Sequence, residues 1–113
     1  MSTRQLYAPH ILALQIDASS IELPGNDTII GRTGHPSEAQ PDVNLDQFDA
    51  QEEGVSRRHI RLRRADTLVF VTDLGSTNGT QLNGERLKPD VEYPLRDGDQ
   101  LKLGNLKVTV LFR

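Results

Sequence analysis

The sequence predicts an all-β domain, an antiparallel sandwich or barrel. Three observations carry this expectation. Apolar residues recur in short runs with period two. Clusters of Gly, Pro, Asn, Asp and Ser interrupt them every ~8–12 residues. No segment shows a helical period bounded by capping residues.

Taken in order, Ile11 to Ile16 reads as a first strand and ends at Asp17-Ala18-Ser19-Ser20, a turn-forming cluster. Ile21-Glu22-Leu23 alternates and stops at Pro24-Gly25-Asn26-Asp27, and Thr28-Ile29-Ile30-Gly31 follows, rich in β-branched residues. A long irregular stretch then runs from Arg32 to Val55, acidic in its second half, with Val43 and Leu45 as a brief strand-like alternation. Connections this long within a compact domain are more often functional than idle. His59 to Arg63 alternates, placing Ile60 and Leu62 inward and the arginines outward. Ala65-Asp66 turns into the hydrophobic strand Thr67 to Asp73. The segment Leu74 to Thr80 suits neither helix nor strand. Asn83-Gly84, between Gln81-Leu82 and Glu85-Arg86-Leu87, is a strong hairpin signal. After turns at Pro89-Asp90 and at Arg96 to Asp99, Gln100 to Gly104 and Lys107 to Phe112 close the chain as a hairpin about Asn105.

Composition narrows the function. The 113 residues amount to one domain. Cysteine is absent, which removes disulfides, thiolate metal sites and a Cys nucleophile. The formal net charge is −3 and aromatic residues make up 4%, with no Trp, which argues against a basic, base-stacking nucleic-acid surface. Arg57, Arg58, Arg61, Arg63 and Arg64 are instead read mainly as a solvated sheet face and partly as a local positive rim. No apolar run is long enough to span a bilayer, and the first ten residues carry no apolar signal core.

Catalysis finds little support. Ser56, His59 and Asp73 supply the residue types of a hydrolase triad, but no G-x-S-x-G elbow is present, and Ser56 and His59 lie close together at the start of one strand. His10, His35 and His59 are scattered without metal-ligand spacing, and there is no phosphate-binding P-loop signature. Three segments are nevertheless dense in hydrogen-bond donors: Gly31-Arg32-Thr33, Ser56-Arg57-Arg58-His59 and Gly75 to Thr80. Glycines that let backbone come close, together with hydroxyls, an amide and guanidinium groups, suit an oxyanion such as phosphate.

The order GR, SRRH, LGSTNGT, LNG and LRDGDQLKLG, at β spacing, resembles the forkhead-associated (FHA) domain, a phosphothreonine-peptide recognition module, and the acidic stretch running into GVSRRH is most similar to its bacterial members. The resemblance covers residues 11–113, with 1–10 as a flexible N-terminal tail. It implies an eleven-stranded β-sandwich of two antiparallel sheets whose apical loops bind the ligand. By the same resemblance Arg32, Ser56, Arg57 and Thr77 match phosphate contacts, and Asn78 matches the asparagine that holds the peptide main chain. Gly31, His59, Gly75, Gly79, Asn83 and Gly84 match residues that shape the loops. The loop from Thr33 to Val55 is longer than in compact members.

The implied partner is a phosphothreonine-containing protein or peptide, the substrate of a Ser/Thr kinase. No enzyme activity, cofactor, metal, nucleic acid or membrane enters, and the isolated domain is expected to be a cytoplasmic monomer. The alternative is a phosphate-independent interaction or assembly domain on the same fold.

Overall fold

A computed structural model describes residues 11–113, so the flexible tail expected for 1–10 lies outside the described residues. The described residues form eleven strands: β1 (Leu12–Ile16), β2 (Ser19–Glu22), β3 (Asp27–Gly31), β4 (Val43–Asn44), β5 (Ile60–Ala65), β6 (Leu68–Asp73), β7 (Thr80–Leu82), β8 (Glu85–Arg86), β9 (Glu92–Pro94), β10 (Gln100–Leu103) and β11 (Leu106–Phe112). They build two sheets, one in the order β2-β1-β11-β10-β7-β8 and the other β4-β3-β5-β6-β9. The expected sandwich is therefore present. Every pairing is antiparallel except β3 with β4, which run parallel with Ile30 opposite Val43. The long stretch after β3 crosses back and so delivers β4 in the same direction as β3, as a parallel pair requires.

The core lies between the sheets and follows the alternation of the sequence. Leu14 and Ile16 of β1, Leu101 and Leu103 of β10, and Val108 and Val110 of β11 face Ile30 of β3, Ile60 and Leu62 of β5, and Val69 and Val71 of β6. All are buried. The outward residues Asp27 of β3, Arg61 and Arg63 of β5 and Glu92 of β9 pair diagonally over the outer face of the sheet. Arg61 grips Asp27 with two hydrogen bonds of 2.7 and 2.5 Å, and Arg63 grips Glu92 with 2.6 and 2.7 Å. Arg63 also lies over the Phe70 ring, 5.2 Å from its centre. These two arginines are thus matched by carboxylates across the sheet, as the reading of a solvated face requires.

Two strands differ from the sequence expectation. The first turn contains only Asp17 and Ala18, with Asp17 at φ 53, so Ser19 and Ser20 already pair in β2. Strand β9 was not foreseen: its Pro94 lacks a backbone donor, which is tolerated because β9 is the edge of its sheet.

The Arg32–Val55 stretch is irregular in backbone yet anchored in the core. Leu45, Ala50 and Val55 are buried, and a short 3₁₀ turn spans Asp46–Phe48. Backbone bonds then tie the end of this stretch to the other sheet: Asn105 N–H donates to Glu53 O at 2.8 Å. Gly104 N–H donates to Gly79 O at 3.1 Å. These ties bring the β10–β11 turn, the end of the long stretch and the β6–β7 loop together at one end of the sandwich.

Candidate phosphate-recognition site

The three donor-rich segments meet at that end. Strand β3 delivers Arg32 at its exit, the Ser56–His59 segment leads directly into β5, and the β6–β7 connection supplies Leu74 to Gly79. Gly31 allows the first two to touch. A Cβ at this position would lie 2.1 Å from the Arg57 carbonyl oxygen, so no other residue fits without moving backbone.

His59 is the buried hub. Its Nδ1 accepts a hydrogen bond from the Ser56 backbone N–H at 2.9 Å, which requires a lone pair there. The proton therefore sits on Nε2, which donates to Gly79 O at 2.9 Å. Burial pushes the imidazole pKa below its ordinary 6.5, against the opposing influence of the Gly79 carbonyl and of Asp73. A neutral ring with both nitrogens engaged joins the Ser56 loop to the Gly79 loop.

Ser56 then completes the bridge from its side chain. Its Oγ accepts the Thr77 N–H at 3.0 Å, so its own O–H hydrogen stays available for an outside acceptor. Arg32 is held edge-on: Nε donates to Val55 O at 2.9 Å, while Nη1 makes only a long 3.4 Å contact to Thr33 O. Arg32 forms no ion pair among the described residues, so most of its guanidinium donors remain unspent. Arg57 differs, because its Nη1 meets Glu38 Oε1 at 2.6 Å. Asn78 is exposed and anchored through Nδ2, which donates to Gly54 O at 3.0 Å, leaving its side-chain carbonyl uncommitted.

Gly75 and Gly79 adopt φ of +75 and +83, the left-handed region that favours glycine. A Cβ at Gly79 would also lie 2.7 Å from the Arg86 guanidinium, so Arg86 packs against the loop, a neighbour the sequence reading did not include. Asn83 and Gly84 are not brought into this cluster. They form the tight β7–β8 turn, with Asn83 bonded to Asp99 at 3.0 Å and to the Gln100 N–H at 2.9 Å, at the other end of β7.

Sequence reasoning considered Asp73 only as a triad member. In the structure it is buried and organises the β6–β7 loop. Its Oδ2 accepts the N–H groups of Gly75 (3.1 Å) and Ser76 (3.2 Å), and its Oδ1 accepts the hydroxyls of Ser76 and Thr80, both at 2.6 Å. Burial alone would push the carboxyl pKa up, but these hydrogen bonds outweigh it and hold the group below 3.8. The signal was present in the sequence, since Asp with Gly and Ser two and three residues later is the pattern of a side-chain-capped turn.

The triad is therefore not wired for chemistry. His59 meets the backbone N–H of Ser56 and not its hydroxyl, and Asp73 holds loop donors instead of the imidazole.

Comparison with known proteins gives this geometry a family. The FHA domain family model matches residues 28–104, from β3 to the β10–β11 turn. Protein FraH of Nostoc sp. is 38% identical over 95 residues, covering 82% of this chain and 32% of that protein. FhaA of Mycobacterium tuberculosis is 41% identical over 64 residues, covering 57% of this chain and 12% of that protein. The chain thus spans less than two thirds of the length of either relative. The crystal structure of the FhaA FHA domain, complexed with the intracellular domain of a second protein, superposes with a TM-score of 0.67 at 32% identity, covering 88% and 98% of the two chains. A structure from a structural and functional analysis of phosphothreonine-dependent FHA domain interactions gives a TM-score of 0.70 at 31% identity, covering 91% and 97%. By fold, motif order and family match, this chain belongs to the FHA domain family.

Proposed function

We propose that this FHA domain recognises phosphothreonine in a partner protein and catalyses no reaction on it. The observation that carries the reading is the convergence of Arg32 and Ser56 at one end of the sandwich. Arg32 has unspent guanidinium donors, and Ser56 has a hydroxyl whose one bond among the described residues is one it accepts. A phosphothreonine brings a charge of about −1.5 to −2 and three strong acceptor oxygens, which is the complement of such a donor set. Thr77 and Asn78 lie beside it on a loop already fixed by Asp73 and His59, so little ordering entropy is lost on binding. The uncommitted Asn78 carbonyl is suited to a peptide backbone N–H. The similar structure from phosphothreonine-dependent interactions supports the same ligand class.

The absence of a Ser56–His59 hydroxyl contact favours a binding role over a hydrolytic one. Among the described residues no helix is long and apolar enough to cross a membrane. Phosphothreonine arises where kinases and ATP meet, which favours work in the cytoplasm.

The test is a calorimetric titration of one library-selected peptide in phosphothreonine, phosphoserine and unphosphorylated forms. Burial of the threonine methyl contributes about 0.8 kcal/mol, so phosphothreonine should bind at least about fourfold more tightly than phosphoserine. Arg32→Ala should weaken phosphothreonine binding roughly ten- to a hundredfold, for a charge-assisted hydrogen bond of ~1.5–3 kcal/mol. Equal affinity for all three peptide forms would reject phosphate recognition in favour of a phosphate-independent assembly surface.

A further inference from the structure

Arg57 stands next to Ser56, yet its guanidinium is already occupied. Its Nη1 donates to Glu38 Oε1 at 2.6 Å, with the two side chains 50% and 46% exposed. Glu38 is held in place by a stretch that is well tied. Gln40 Oε1 accepts the Gly34 N–H at 2.9 Å, and Gln40 Nε2 donates to His35 O and Glu38 O at 2.8 and 3.1 Å. At its start, the Thr33 N–H donates to Asp46 Oδ1 at 3.0 Å. Gly34 lies against the Arg57 stem, where a Cβ would come within 2.9 Å of Arg57 Cδ. The stretch therefore presents one carboxylate at the rim of the site, in contact with a residue adjoining Ser56.

We propose that Glu38 is a specificity-determining residue: on ligand binding Arg57 exchanges Glu38 for the phosphate, and the released carboxylate selects peptides with a Lys or Arg beside the phosphothreonine. The proposal rests on the phosphothreonine reading of the site.

The exchange follows from relative strengths. An exposed ion pair with one short contact shifts an equilibrium by about fivefold at most. A phosphate with nearly two negative charges and several acceptor oxygens is the stronger partner for an arginine. Once Arg57 turns, Glu38 has lost its counter-charge and sits within a Debye length, roughly 8 Å, of a dianion. Asp46, which anchors the start of the same stretch, stays ionised, held below 3.8 by hydrogen bonds from Thr33. A cation from the peptide relieves both charges, a neutral flank leaves them uncompensated, and an acidic flank adds a third.

The experiment uses one phosphothreonine peptide with alanine at every flanking position. Variants carry a single Lys or a single Glu at each of those positions in turn, and all are titrated calorimetrically against wild type, Glu38→Gln and Arg57→Ala. In wild type, Lys at one or two positions should strengthen binding about two- to fivefold and Glu there should weaken it, both effects shrinking at high salt. Glu38→Gln should abolish these flank effects and tighten binding of the all-alanine peptide, because a competitor for Arg57 is gone. Arg57→Ala should weaken every phosphorylated peptide and keep the Lys preference. No Lys preference in wild type, or one of the same size in Glu38→Gln, overturns the proposal. Should unphosphorylated peptides bind as tightly as phosphorylated ones, the phosphothreonine reading itself fails. Phosphate-dependent binding with flank effects indifferent to Glu38 removes the selectivity role alone.

Discussion

The buried carboxylate of Asp73 offers the most direct test of how the recognition loop is held. Two changes separate its contributions. Asp73→Asn keeps shape and one carbonyl oxygen, which can go on accepting the Gly75 and Ser76 N–H groups. The new amide nitrogen then faces the Ser76 and Thr80 hydroxyls, which can rotate from donating to accepting. What is lost is charge assistance, so the expected destabilisation is about 1–2 kcal/mol. Asp73→Ala removes all four bonds. It strands the Thr80 hydroxyl, fully buried at 0% exposure, while the Gly75 amide can turn to water. One buried unsatisfied group at ~1–3 kcal/mol, added to the lost charge-assisted bonds, gives about 3–5 kcal/mol. Urea unfolding followed by circular dichroism measures both. Because the folded-state pKa of Asp73 lies below its ordinary 3.8, its stabilisation is complete above that value and is lost as pH falls through the folded pKa. The acid limb of the stability profile should therefore flatten in Asp73→Asn. Stability of Asp73→Ala within about 0.5 kcal/mol of wild type at pH 7 would refute the idea that this carboxylate organises the loop.

Two further outcomes follow from the same loops. His59 has a folded-state pKa depressed below 6.5 by burial, so the unfolded chain takes up a proton first, and stability should decline as pH falls below 6.5 towards the folded value. Urea midpoints measured between about pH 8 and pH 5 check this, and a midpoint that rises on acidification contradicts it. Gly31→Ala would place a methyl 2.1 Å from a backbone oxygen, so it should cost about 3 kcal/mol or more and abolish phosphopeptide binding, whereas a melting temperature within about 2 °C of wild type would show that the contact can relax.

Much of the sandwich is legible in the sequence because its central strands alternate strictly. Ile60 and Leu62 of β5 face inward and Arg61 and Arg63 outward, as period two requires. Strand β9 was hidden for the opposite reason: three residues with a proline carry no period, and their pairing is set by the edge of β6. The candidate site residues were legible through motif order, which periodicity cannot supply, since Arg32, Ser56 and Thr77 lie far apart in the chain and meet only because β3, β5 and β6 pair side by side in one sheet. Asp73 was obscured because an inward-facing carboxylate at the end of an apolar strand reads first as that strand's polar boundary. The Glu38–Arg57 pair could not be read at all. Its partners lie 19 positions apart across an irregular stretch, and only the folded backbone sets their distance.

The placement of β11 governs how this domain reaches its native state. That strand lies between β1 and β10, and its Leu106, Val108 and Val110 are buried in the core, yet it is the last of the eleven strands in chain order. The five-stranded sheet, by contrast, draws all its strands from earlier in the chain. During synthesis Ile30, Ile60, Leu62, Val69 and Val71 can assemble on one face with no second layer to cover it. Pairing the first strand with the last, Leu12 with Phe112, carries a high contact order, so closure is slow and the exposed apolar face is the stage at which nascent chains are most prone to associate.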